Sequence, residues 1–449
     1  MRNKLEGPVG RLMLSLCTQT TFSLLLYHAY SLTDTFFVAN GVGGTASGAV
    51  GIFAPVLTLV NGISSTLGTG GGSVISRSLG AGDGHKGRAV VGCMMFVWLL
   101  SSTVITAAGL ALLEPLLDIL GCTSEIHPYA LDYGRIMLLS TVVSTGFSSI
   151  MRAQGDIGYS TLQWSGPVLI NLVLDPVFIY GFRWGISGAA LATLIAQLFS
   201  AANSVYYFFF RKKTPCRVSF HDIRWNVSAC KEIVSVGLPA FLGSLGSSLV
   251  GTLGNQVLGA VGGTAAISAF TIVSRVQSFA STPFSGVMQG IQPMLGFDFG
   301  RRSYARIKRT IMYAFRFALA YGVFAAVVLY FTSEQIIALF DKELLTQGGA
   351  ALRVLCWALL TAGFMPIVQA YLQALGKGRQ VLFLSLGGAF LIRLPALLIA
   401  GVFQTVEGVW WALAASDWLI ALWVVINYIN QRGAIDEKSD KKRTKPGDY

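Results

Sequence analysis

The stretch Leu162–Phe182, LQWSGPVLINLVLDPVFIYGF, is long and apolar enough to cross a bilayer as one helix, and Asp175 is its one carboxylate. A charged side chain is expensive in hydrocarbon and is usually kept for a task. Asn171 and Asp175 are four residues apart, so on a helix they share one face and can hold a common ligand. Pro176 cannot donate a backbone hydrogen bond and crowds the preceding turn, which loosens a carbonyl there. A carboxylate, an amide oxygen and a loosened carbonyl are hard oxygen ligands, suited to a proton or a small cation. The structural alternative is an aspartate that caps a kinked helix or sits at its wet end. This window alone leaves both readings open.

Working outward, the rest of the chain has the same character. Of 449 residues, 53% are hydrophobic and only 12% charged, with a mean hydropathy of +0.62. A soluble domain carries about 25% charge. Apolar runs recur along the whole chain and number about twelve, which makes an all-α polytopic membrane protein, since helices satisfy their own backbone in lipid. The net charge of +12 would suggest nucleic acid in a soluble protein. Here the bases cluster in alternate loops, so positive-inside topology explains them and no nucleic-acid partner is expected. The 6 Cys are scattered without a CxxC pair and read as small core residues. His28 in the first run reads as packing rather than ligation. No cleavable signal peptide is expected, because the first run is too long and another follows at once.

Basic loops after the second, fourth, sixth, eighth and tenth spans alternate with acidic or uncharged ones. Both termini are therefore expected to be cytoplasmic, in an inner (plasma) membrane. The expected organisation is a six-helix lobe over 1–210, a basic cytoplasmic linker over 211–231, a second six-helix lobe over 232–431, and a polar basic cytoplasmic tail over 432–449. Asn226-Val227-Ser228 matches a glycosylation acceptor but means nothing on the cytoplasmic side. The row from Tyr206 to Phe210 reads as an interfacial aromatic anchor.

The two lobes repeat one another. Val42-Gly43-Gly44-Thr45-Ala46 recurs as Val261-Gly262-Gly263-Thr264-Ala265, Gly80 corresponds to Gly300, Gly155 to Gly376 and Pro176 to Pro395. An even number of spans per half gives both repeats the same orientation, a parallel repeat about an axis along the membrane normal. Such repeats favour a transporter over a receptor.

The repeat also serves as a control on the acids. Where the first half has Asp34 and Asp175, the second has Leu253 and Leu394, although the glycines and prolines persist. Acids needed only for folding would be expected in both copies. Counted from the outer ends of their spans, Asp34, Asn171, Asp175 and Thr193 reach one level of the first lobe and form a candidate oxygen-lined site for a proton or a small cation. Arg393 and Asp417 lie at similar depths and read as a structural pair, while Arg275 has no obvious partner. Gly68 and Gly70-Gly71-Gly72 read as sites of close helix approach or bending.

Taken together, these features resemble the multidrug and toxic compound extrusion (MATE) transporters. The matching stretches are Asp34-Thr35 before Val42-Gly43-Gly44, Ser76 to Asp83, Arg152-Ala153-Gln154-Gly155-Asp156, Asn171 to Pro176, Gly185 to Thr193, and Gln289 to Pro293 with Gly296 and Gly300. The resemblance covers about residues 8 to 430 and rests on the order and spacing of these stretches. It implies an antiporter that expels organic cations or amphipathic drugs in exchange for H+ or Na+, with the cation site on Asp34, Asn171, Asp175 and Thr193. No cofactor beyond the coupling ion, a membrane-lipid environment and a monomer are the accompanying expectations. The chain departs from one branch of the family, since Gly237–Gly251 and Gly363–Gln373 contain no acid. A flippase for a lipid-linked or amphipathic metabolite, of related architecture, is the alternative reading, and the repeat does not exclude a channel. No metal-ligand or nucleophile constellation of the kind an intramembrane enzyme needs is found in the sequence.

Overall fold

The computed structural model describes residues 4–120, 122–143, 147–340, 344–403 and 405–443. Asp341, Lys342 and Glu343 of the acidic loop and the end of the expected tail, 444–449, lie outside these. Among the described residues the regular structure is helical. The helices are α1 (Val9–Gly41), α2 (Gly44–Gly80), α3 (Gly84–Ala111), α4 (Leu113–Ile119), α5 (His127–Thr141), α6 (Ser148–Ala153), α7 (Ile157–Pro176), α8 (Gly185–Val205), α9 (Val227–Gly300), α10 (Tyr304–Phe340), α11 (Leu345–Leu355), α12 (Leu359–Ala362), α13 (Phe364–Ala374), α14 (Gly378–Gly387), α15 (Leu394–Val402) and α16 (Val406–Arg443).

Among the described residues, 10 helical stretches are long and apolar enough to span a membrane. Two more crossings complete the set. One is α5 with α6, divided and too short in either piece to register as a span. The other is the second half of α9, beyond a kink at Gly263, where φ is 65°. The protein is thus a multi-pass all-α membrane protein of about twelve spans in two six-helix lobes.

The repeat read from the sequence is also present in the backbone. Positive φ occurs at matched turns: Gly43 and Gly263, Gly82 and Arg302, Gly155 and Gly376. The prolines match as well. Pro176 is followed by a π-helical turn over Val177–Gly181, and Pro395 is preceded by one over Gly388–Arg393. A proline ring and a missing N–H are accommodated by widening the helix locally.

The chain divides into two compact units. The first takes in Phe22–Gly237. One apolar cluster in it gathers Val74, Ile75, Met94, Ile150, Met151, Tyr207, Phe208 and Ile233, and a second gathers Val38, Phe53, Leu117, Tyr133, Leu138 and Ile179. Close approach of α2 to the start of α9 depends on glycine. A Cβ on Gly70 would lie 2.0 Å from the Ile233 carbonyl oxygen, and one on Gly237 would lie 1.9 Å from that of Thr66.

Residues 211–226 are ordered against this unit. Asp156 pairs with Arg211 and accepts from the Tyr207 hydroxyl at 3.0 Å, while Gln154 Oε1 accepts from the Cys216 N–H at 3.0 Å. Burial pushes the Cys216 thiol up to about 12. Asn226 caps α9, its Oδ1 accepting from the Ala229 N–H at 3.0 Å. The expected aromatic anchor is only half exposed: Tyr206 and Phe210 face outward, but Tyr207 and Phe208 are fully buried. Tyr207 turns inward because its hydroxyl finds Asp156 there.

The second unit takes in Glu6–Thr21 and the chain from Leu238 onward. The early turns of α1 lie close against α9: Thr20 Oγ1 donates to the Gly286 carbonyl at 2.7 Å, and a Cβ on Gly290 would meet Cys17 Sγ at 2.9 Å. Asp298 is buried and pairs with Arg306 at 2.9 Å. Arg393 and Asp417 join as the sequence suggests, and Lys377 binds the side chain of Gln431.

Candidate functional site

The site grows from the α7 pattern. The residues that α7 buries are Ser160, Gln163, Gly166, Val168, Asn171 and Asp175, most of them polar. In a helix of such apolar composition, the inward stripe is the polar one. Facing it, α8 buries Ala189, Ala192, Ala196, Ser200 and Ser204, small residues that let the two backbones approach. Polar rungs tie the pair. Asn171 Nδ2 donates to Thr193 Oγ1 at 3.2 Å. Lower down, Gln163 Nε2 donates to the Ser200 carbonyl at 2.9 Å and to Ser204 Oγ at 2.8 Å, and its Oε1 accepts from Asn203 at 2.6 Å.

Asp34 reaches the top of this ladder from α1. Its carboxyl is within hydrogen-bonding reach of Asp175, which in turn reaches Asn171. Asp34, Asn171, Asp175 and Thr193, placed at one level by counting, thus share one locus inside the first unit. Asn171 and Asp175 are each 1% exposed, and Asp34 is half-buried. Asn171 Oδ1 and Asp175 Oδ1 are buried acceptors without a hydrogen-bond partner. Unsatisfied acceptor oxygens in an apolar lobe are costly. A proton or a small hard cation among them would satisfy both.

Two tyrosines that sequence reasoning missed complete the locus. The Tyr30 phenol is within hydrogen-bonding reach of Thr193, and it lies in the electrostatic reach of Asp34 and Asp175. Tyr133 on α5 is near both acids and stands edge-on to Phe53 at 6.0 Å. Tyr30 precedes Asp34 by one helical turn, and that spacing could have found it. Tyr133 has no such signal.

Pro176 is the last residue of α7, but the chain does not leave the helical path there. Its φ and ψ are helical, and the chain widens directly into the π turn. That turn presses Ile179 and Tyr180 onto the end of α1, where a Cβ on Gly41 would lie 2.3 Å from Ile179 Cγ2. Phe37 and Tyr180 meet edge-on at 6.2 Å. The helix bearing Asp34 and the turn after Asp175 are therefore in direct contact. Further along α1 and α7, toward the other end of both helices, Tyr27, Tyr30 and Trp164 form an aromatic group, with Tyr27 and Trp164 edge-on at 5.4 Å.

The MatE family profile matches residues 20–177 and 239–399, one block in each repeat. The chain belongs to the MatE family. It is 25% identical to the multidrug export protein MepA of Staphylococcus saprophyticus over 92% of each chain, and 26% identical to MepA of Staphylococcus aureus (strain MSSA476) over 96% of each. Its fold matches that of a multidrug resistance MATE family transporter of the MOP superfamily in an outward-facing conformation, with a TM-score of 0.92, 24% identity, and 97% and 99% of the two chains covered. As a MatE protein the chain is a membrane transporter, and the family is not one of enzymes.

Proposed function

We propose that this MatE protein is a secondary active antiporter that exports organic cations or amphipathic drugs in exchange for H+ or Na+. The observation that carries the reading is the Asp34–Asp175 pair, buried in one lobe beside acceptor oxygens that lack partners. Two carboxylates this close and out of water do not both stay charged without a proton or cation between them. Asp34 and Asp175 supply the charge, Asn171 and Thr193 supply neutral oxygens, and Tyr30 closes the set. The aromatic group of Tyr27, Tyr30 and Trp164 offers ring faces to an organic cation, which the same carboxylates attract. The similarity to MepA, a multidrug export protein, supports the substrate class. The loop charges support a plasma-membrane protein with both termini cytoplasmic.

Filling the site and vacating it need different helix positions. The Gly41–Ile179 contact supplies the joint, because neutralising the acids removes the repulsion between α1 and α7 and lets the π turn after Pro176 reseat. The test is dye flux in proteoliposomes with an imposed H+ or Na+ gradient and without one. Dye accumulation that needs the gradient is expected. Flux that only equilibrates the dye, with either gradient or none, would mean a channel or a facilitator.

A further inference from the structure

The segment from Arg211 to Asn226 joins α8 to α9 and is built with two faces. From Lys213 to Ser219 it alternates: Thr214, Cys216 and Val218 are buried, while Lys213, Pro215, Arg217 and Ser219 are exposed. The inner face is fastened throughout. Thr214 Oγ1 donates to the Tyr207 carbonyl at 2.8 Å and the Val218 N–H to the Phe208 carbonyl at 3.0 Å, and from the outer face Arg217 Nε reaches back to the Phe209 carbonyl at 2.9 Å.

The strap then climbs along α3. A Cβ on Gly87 would lie 2.6 Å from Cys216 Sγ and one on Gly92 would lie 2.0 Å from the Asp222 carbonyl oxygen, while Phe96 meets Trp225 edge-on at 6.1 Å. Gly87 to Phe96 is about 13 Å of helix rise. The segment thus runs from the end of α8 along the first turns of α3, a helix long and apolar enough to span a membrane.

The outer face has a matching composition. Phe220 is 77% exposed and Trp225 51% exposed, in a stretch that also exposes Lys212, Lys213, Arg217 and Arg224. Arg88 of α3 lies beside Cys216 and is exposed too. The nearby acids are engaged elsewhere. Asp222 Oδ2 accepts from the Ser219 N–H at 2.8 Å, and Glu232 is shared by Arg77 at 3.1 Å and Lys86 at 2.8 Å. A purely solvated charge run has no reason to hold a phenyl and an indole outward on a rigid frame. An aromatic-and-basic face beside a membrane-spanning helix matches the interface of a leaflet that carries acidic lipid.

We propose that residues 211–226 form an interfacial strap that binds anionic phospholipid, with Phe220 and Trp225 seated at the acyl–headgroup boundary and Lys212, Lys213 and Arg224 holding the phosphodiester. The strap lies apart from the carboxylate site, so the proposal stands whether or not the antiport reading does.

The experiment uses the full chain in neutral detergent with added phosphatidylglycerol or phosphatidylcholine, and reads the unfolding midpoint. Phosphatidylglycerol is expected to raise the midpoint by about 2–4 °C over phosphatidylcholine. About 0.5 M salt should shrink that difference. The K212Q/K213Q/R224Q variant, which leaves the Arg217 bond to the Phe209 carbonyl in place, should lose it while keeping its midpoint in phosphatidylcholine, and K212R/K213R/R224K should retain it. Equal midpoints in the two lipids, or a persisting difference in the glutamine variant, overturn the proposal. Should the triple variant not fold, brominated lipids give the answer. The fluorescence of wild type minus that of W225F should be quenched more by brominated phosphatidylglycerol than by brominated phosphatidylcholine, and equal or absent quenching overturns it.

Discussion

Asp175→Asn keeps the shape of the side chain and removes its charge and titratable proton, so it isolates what the carboxylate contributes. Dye export by this variant is expected to fall at least about tenfold across about pH 6 to 8 with unchanged surface expression. Export equal to wild type would remove Asp175 from the coupling role. Asp156→Asn makes a different case. Asp156 is nearly buried, and its loss leaves the Arg211 guanidinium, itself mostly buried, without its carboxylate. Breaking such a pair costs about 3 kcal/mol, so a lowered unfolding midpoint is expected, and Arg211→Gln in the same background should recover part of it. At this scale the sequence speaks clearly wherever hydrocarbon makes a residue expensive. Asp34, Asn171 and Asp175 could be picked out because charges and amides are rare in such runs. Tyr133 could not, because a tyrosine is comfortable in a membrane helix and shows its role only when packing brings it beside the acids. Tyr207 and Phe208 depart from the interfacial-anchor reading for the same reason: aromatic composition alone does not say which ring has a buried partner.

Helices in this protein are held by two kinds of polar contact, and the contrast predicts how their variants fail. Arg393 and Asp417 join within the second unit, so Asp417→Asn leaves a largely buried guanidinium unmatched. This variant is expected to lose expression or thermal stability before it loses coupling, the reverse of Asp175→Asn. Normal surface expression with abolished transport would overturn that ranking. Most of the helices could be read from apolar run length, and the matched turns from the repeated glycines and prolines. The crossing made by α5 and α6 could be counted but not its division, and the kink at Gly263 interrupts what is otherwise one long helix. The segment 211–231 reads as a linker because it is basic and polar. Its alternation of buried Thr214, Cys216 and Val218 with exposed neighbours is too short a pattern to stand out, and the side it buries is set by Gln154 and α3, distant in sequence, together with the carbonyls of Tyr207 and Phe208.

Across the molecule, α1 is the element with two allegiances. Its early turns, through Thr21, belong to the second unit, and from Phe22 outward it belongs to the first, where it carries Tyr30 and Asp34 to the site. It runs unbroken from Val9 to Gly41 and contains no proline. A ligand moves a conformational equilibrium only through its differential affinity for the two states. In the proposed exchange, protonating or metallating the Asp34–Asp175 pair would remove the charge that attracts a cationic drug, so drug and coupling ion should bind in strongly negative linkage, and the linkage must be reciprocal. Dye affinity in detergent is therefore expected to weaken as pH falls or as sodium rises, whichever ion is coupled. The sign follows from the charge: a cationic dye is attracted by carboxylates and not by carboxyls. Asp34→Asn should flatten this dependence without abolishing dye binding, because Tyr27, Tyr30 and Trp164 still supply ring faces. Flattening by about tenfold in the ratio of affinities at the two ends of the titration corresponds to about 1.4 kcal/mol of lost coupling. Affinity that stays constant through both titrations in the wild-type protein would defeat the exchange mechanism even if the protein still moved dye across a membrane. Movement without linkage is facilitation, and it would leave the buried carboxylates without a role in transport.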